Sequence, residues 1–117
     1  MHAFEVLADP TRRRVLEELS RGERSVGDLL SAVAADRPVT QPGLSQHLRV
    51  LRDHGFATSR ADGPRRVYAL HPDGFAEVDG WLTRYRHLWD QRLDALETEV
   101  ARGRSPRQQG AEETAAG

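Results

Sequence analysis

Apolar residues return along the chain with two different periods, and the change of period divides it. Asp9 before Pro10 marks a helix start, a capping carboxylate followed by a proline at the first helical position. Val15, Leu16 and Leu19 form the apolar side of that helix, and Gly22 stands where a C-terminal cap belongs. The short stretch before it, with Phe4 and Leu7, predicts a first helix. A further start is Ser25-Val26-Gly27-Asp28, where Ser25 caps and Asp28, three residues on, reaches back. Val26, Leu29, Leu30 and Val33 follow at helical spacing until Pro38, which disfavours helix at Arg37 and turns the chain. The next helix has Thr40 or Gln41 at its cap, Pro42 in its first turn and Leu44, Leu48 and Leu51 as its buried stripe. Gly55 ends it, placed so that Phe56 packs back on Leu51.

The period then shortens. Residues 57–61 and 65–70 read as two strands around Asp62-Gly63, a hairpin turn. Two strands alone are marginal, so the hairpin has to lean on the helices. From Pro72 to about Arg102 the helical period resumes through Phe75, Val78, Leu82, Tyr85, Trp89, Leu93, Leu96 and Val100, widened by Trp81 and Leu88. That face is larger than a small core needs. Residues 103–117 carry no periodicity and predict a disordered tail, leaving 1–102 as one domain.

Two short helices joined by a turn, the second exposing polar groups at its start, form a helix-turn-helix, whose second helix meets base edges in the major groove. Opposite the leucines lie Pro42, Ser45, Gln46, Arg49 and Asp53. Gln pairs bidentately with adenine and Arg with guanine, while a hydroxyl and the free N–H groups of a first turn suit phosphate. The expected DNA-facing set is Thr40, Gln41, Pro42, Gly43, Ser45, Gln46, His47, Arg49 and Arg52 on this helix, with Arg60, Arg65 and Arg66 at or near the tip of a hairpin wing. The predicted fold is therefore a mainly α (α+β) winged helix-turn-helix of about five helices with a two-stranded wing.

Charge supports a local anionic contact. The net charge is only −1, but residues 37–68 hold six Arg against two Asp, whereas the segments on either side are net acidic. All 17 basic residues are Arg, and Lys, Ile and Asn are absent, a pattern of codon bias that says little about phosphate binding. The 117 residues, 38% hydrophobic, permit a modest core that a partner subunit would help. No run of 18 apolar residues suggests a membrane span, the N-terminus does not read as a signal peptide, and cytoplasmic residence is the default. The absence of Cys rules out disulfides and thiolate metal sites. No Gly-rich phosphate loop or nucleophile elbow points to an enzyme.

The stretches LADPTRRRVLEEL, SVGDLL, TQPGLSQHLRVLRDHGF and DGPRRVYAL resemble the ArsR/SmtB-type bacterial winged-helix repressors over residues 3–100. The C-terminal WLTRYRHLWDQRLDALE is similar to members without metal ligands, often grouped as autorepressors. The resemblance implies a symmetric homodimer through the first and last helices, with Phe4, Leu7, Trp81, Leu82, Tyr85, Leu88, Trp89, Leu93 and Leu96 at the seam. It implies double-stranded operator DNA of inverted-repeat type, often at the repressor's own promoter. One departure is the turn AADRPVT, longer than the usual Gly-containing turn.

Metal-sensing members carry a Cys-x-Cys pair where this chain has Ser25-Val26-Gly27. His87 and Asp90 share a face of the last helix, but the paired ligand expected near Asp79 is replaced by Trp81; His2 and His71 are isolated, and His54 closes the reading helix. No metal or cofactor is expected. Alternatives are a sensor with a small-molecule cavity lined by Trp81, Tyr85 and Trp89 or a metal at the seam, and a winged-helix module that binds protein.

Overall fold

The computed structural model describes residues 2–103, so the tail expected over 103–117 lies, beyond Gly103, outside the described residues. Its internal packing divides the chain at Asp79, and residues up to Asp79 hold the core. α1 (Ala3–Ala8) opens on a reciprocal cap: the His2 ring accepts from Phe4 N–H, and Glu5 Oε1 accepts from the His2 N–H at 2.6 Å. His2, isolated by sequence pattern, is thus a cap, and its Nε2 also pairs with Glu77. α2 (Pro10–Leu19) starts where expected, with Asp9 Oδ1 accepting from Thr11 and Arg12 N–H at 2.8 and 3.0 Å.

The sheet has one strand more than expected. β1 (Arg24–Ser25) pairs with β3 (Arg65–Leu70), which pairs with β2 (Ala57–Asp62), giving an antiparallel order β1-β3-β2. The wing is therefore not a lone hairpin; β3 is a central strand, held to the helices through Arg24↔Tyr68 and Ser25↔Val67. A two-residue strand has no period to detect. It forms because the extended backbone of Ser25, needed to cap α3 (Val26–Ala34), continues the line of Arg24 along β3.

α4 (Gln41–Asp53) ends as its sequence predicts. Gly55 takes φ +78°, Phe56 N–H donates to Leu51 C=O at 2.9 Å and Gly55 N–H to Arg52 C=O at 3.2 Å, both bonds of a Schellman cap. Phe56 is then carried into the core with Val6, Val15, Leu29, Val33, Leu44, Leu48 and Leu51, all fully buried. α5 (Asp73–Ala101) begins against this cap: Gly74 N–H donates to Gly55 C=O at 2.8 Å, and the Phe75 ring meets Phe56 edge-on with centroids 4.9 Å apart.

From Gly80 onward the described chain is the outer part of α5, taken by itself. Trp81, Leu82, Tyr85, Leu88, Trp89, Leu93 and Leu96 stand 42% to 61% exposed. Phe4 and Leu7 of α1 are half-buried. Among the described residues no helix is long and apolar enough to cross a membrane.

Gly74 lies so close to Phe56 that a Cβ there would stand 2.6 Å from the ring. Gly74→Ala is expected to destabilise the fold by about 1–3 kcal/mol, the usual penalty for overpacking, read as a lower urea midpoint. An unchanged midpoint would mean that the Phe56 ring moves aside freely and does not seat α5.

Candidate nucleic-acid interface

α4 is built to keep one side in the core and the other clear. Thr40 Oγ1 accepts from Gly43 N–H at 3.2 Å, and Pro42 occupies a first-turn position where an N–H is dispensable. With Leu44, Leu48 and Leu51 inward, Gln41, Pro42, Ser45, Gln46, Arg49, Arg52 and Asp53 are all exposed. Among the described residues, no hydrogen bond or ion pair engages the side chains of Gln41, Gln46, Arg49 or Arg52. Gln46 and Arg49, three apart, share one face of the helix.

His47 is placed differently. It is half-buried, with Nδ1 3.4 Å from Arg12 Nη1. Arg12 in turn donates from Nε to Val6 C=O at 2.8 Å and from Nη2 to Glu5 C=O at 3.2 Å, so one guanidinium links the end of α1, α2 and α4. Burial alone would raise the neighbouring Asp9 carboxyl. The Arg12 N–H, the nearby His47, the Thr11 N–H and the Arg12 charge outweigh it and hold Asp9 below its ordinary value.

The long turn between α3 and α4, residues 35–40, is fixed from α2. Arg14 Nε donates to Asp36 Oδ2 at 2.5 Å, and Arg37 Nε donates to Thr11 Oγ1 at 3.2 Å. Neither contact is part of the sequence pattern that predicts α2. The available signal was three adjacent arginines opening a helix followed, some twenty residues on, by an acid in a turn. Arg14 also donates to Glu18 at 2.9 Å, and Arg24 and Arg21 stand 3.6 and 3.5 Å from the same carboxylate. Glu18 is the one buried acid among the described residues.

The wing lies beside the start of α4. Gln41 and Ser45, the wing residues Pro64, Arg65 and Arg66, and Ser25–Gly27 at the start of α3 bound a groove of about 500 Å³. Arg65 and Arg66 are at the tip, as expected. Arg60 stands further back, facing Val67 in the third pair down from the turn, and donates to Glu23 Oε1 at 2.7 Å. Arg65 Nη2 donates to Asp62 Oδ2 at 2.9 Å and Arg66 Nη1 to Ser59 Oγ at 3.2 Å. Among the described residues no group of three or more His, Cys, Asp or Glu is placed to hold a metal ion; His87 Nε2 lies 3.4 Å from Gln91 Nε2.

Comparison with known proteins agrees with this geometry. A model of a helix-turn-helix domain matches residues 7–60. The helix-turn-helix-type transcriptional regulator Rv2034 of Mycobacterium tuberculosis is 43% identical over 97 residues, covering 80% of this chain and 87% of that protein. A probable mercury resistance operon repressor of Streptomyces lividans is 36% identical over 75 residues, 64% of this chain and 57% of the relative. The crystal structure of the ArsR family transcriptional regulator RHA00566 superposes with a TM-score of 0.62 at 35% identity, covering 75% of this chain and 87% of the other. The chain belongs to the ArsR family of helix-turn-helix transcriptional regulators. It is a DNA-binding regulator of winged helix-turn-helix fold, in a family of regulators rather than enzymes.

The Glu18 cluster makes an acid-dependent prediction. The Arg14 hydrogen bond lowers the Glu18 carboxyl from its ordinary value of 4.5; burial opposes this, and the charges of Arg14, Arg21 and Arg24 add to it. A carboxyl depressed in the folded state contributes stability that is present above that ordinary value and lost as pH falls through the folded one. Glu18→Gln should therefore lower stability at neutral pH and flatten the loss seen in the wild type below pH 4.5, measured by urea unfolding at stepped pH. Identical acid slopes in both proteins would remove Glu18 from the network that steadies the turn.

Proposed function

We propose that the chain acts as a homodimeric repressor that binds an inverted-repeat operator, with its own promoter as a natural site. The carrying observation is the outer side of α4: Gln46 and Arg49 are exposed and uncommitted on a helix whose other side is fully buried. A helix so held can enter a major groove without first breaking internal contacts. Gln46 and Arg49 have the donors and acceptors to read adenine and guanine edges, while Thr40, Gln41, Pro42, Gly43 and Ser45 approach the backbone at the helix start. Arg52 lies one turn further along and reaches phosphate at the groove's edge. Arg65 and Arg66 lay guanidinium groups on the flanking backbone. His47 supports the helix through Arg12 instead of reading a base. The repressor sign follows the name of the Streptomyces relative. Sensing through a Cys pair does not carry over, since this chain has no cysteine.

Dimerisation follows from the outer part of α5. Eight large apolar side chains on one helix, Val100 among them, each 42% or more exposed, form a patch of the kind that marks an interface. A second copy offers the same patch, and two-fold protein symmetry matches a palindromic operator with half-sites one helical turn (~34–36 Å) or a multiple of it apart.

Two measurements test this. In binding assays with DNA from upstream of the gene, Gln46→Ala or Arg49→Ala should cost about 1–3 kcal/mol and relax sequence preference. Unaltered operator preference in Gln46→Ala would exclude it from base reading. Leu82→Arg or Trp89→Arg should place an unpaired charge in the seam and give a monomer by sedimentation at micromolar concentration. A wild-type protein that sediments as a monomer there would end the dimer proposal.

A further inference from the structure

The two halves of the interface differ in what their cations already hold. Arg49 and Arg52 of α4 have no internal partner among the described residues. All three wing arginines have one: Arg60 holds Glu23, Arg65 holds Asp62 and Arg66 holds the Ser59 hydroxyl. Along the wing the charges alternate as Glu23, Arg60, Asp62 and Arg65. The Arg60 hydrogen bond and charge hold the Glu23 carboxyl below its ordinary value, while burial and the nearby Asp62 charge oppose them. Asp62 and Arg65 are the last facing pair before the turn, and both are exposed. Arg65 also lines the groove against Gln41 and Ser45.

We propose that Asp62 is an affinity-limiting residue of the DNA interface, competing with a backbone phosphate for the Arg65 guanidinium. This rests on the DNA-binding reading above. Asp62 already occupies one N–H of the Arg65 guanidinium and offsets its charge, so a phosphate competes with it for that cation, and the carboxylate faces the polyanion from the wing tip. Both effects oppose binding and neither depends on base sequence. Arg66 is not limited in this way, because its internal partner is a neutral hydroxyl. The Arg65 contact is thus a competition between partners, whereas the α4 contact is an addition. Because the competition is for phosphate, it weakens operator and mixed-sequence DNA by the same factor.

The test uses the full chain and two duplexes, one from upstream of the gene and one of mixed sequence, over a series of salt concentrations. Asp62→Asn keeps the shape of the turn and removes the charge. It should tighten binding to both duplexes by roughly two- to fivefold per subunit, the range set by an exposed ion pair, with the gain shrinking as salt rises. In an Arg65→Ala background the same substitution should give a clearly smaller gain, since the competition is then gone. Thermal melts of all variants check that the fold is kept; Asp62→Glu, which restores the charge, serves as the second variant and should return affinity towards wild type. Unchanged or weaker DNA binding by a folded Asp62→Asn protein overturns the proposal while leaving the DNA reading intact. An equal gain with and without Arg65 also overturns it, since the effect would then be general charge repulsion. A wild-type protein with no salt-dependent affinity for either duplex overturns the DNA reading and this proposal with it.

Discussion

The burial of Leu44, Leu48 and Leu51 against Phe56 and the α2–α3 side chains is the constraint on which the interface depends. Three leucines at helical spacing fix the rotation of α4 about its own axis, because turning it would bring polar side chains into an apolar core. The Schellman cap at Gly55 fixes its end and inserts Phe56 beneath it. Thr40 fixes its beginning. With axis, rotation and both ends set, the outward direction of Gln46 and Arg49 follows without any contact of their own. Their lack of internal partners is a consequence of how the other side is held.

The same economy extends to neighbouring elements. α5 starts on the Gly55 carbonyl, and Gly74 lacks a side chain where Phe56 passes. The turn before α4 is long, yet Arg14 and Arg37 tie it to α2, so its length leaves the angle of α4 defined. The wing is anchored through β1, two residues whose extended backbone is imposed by the cap of α3. Each of these links is local, and together they place Arg65 and Arg66 across a groove from Gln41 and Ser45.

What was legible in the sequence was whatever depends on period or on a cap. The leucine stripe of α4, the Asp9-Pro10 start, the Thr40 cap and the Gly55 end are all encoded within a few residues and each is found as predicted; Ser25 caps α3 as predicted, but among the described residues Asp28 does not reach back to it. The strand β1 was hidden because two residues carry no alternation. The cap by His2 was hidden because His is an uncommon capping residue, whereas its partner Glu5 is an ordinary one. The site was legible as a set of side chains on a face. It was not legible where a partner came from a distant segment: Arg60 holds Glu23, 37 positions away, and His47 faces Arg12, 35 positions away. Pairings at such separation are set by the tertiary fold, and no local spacing reports them.

The claim that one side of α4 together with the wing tip forms the DNA-contacting surface is best tested by amide and side-chain NMR shifts of the full chain titrated with a duplex from upstream of its gene. Perturbations should cluster at residues 40–49 and 60–66, with the Gln46 side-chain amide among the largest, while amides around Val15 and Leu29 in the core stay in place. Shifts concentrated elsewhere, with the outer side of α4 unaffected at saturating DNA, would contradict it.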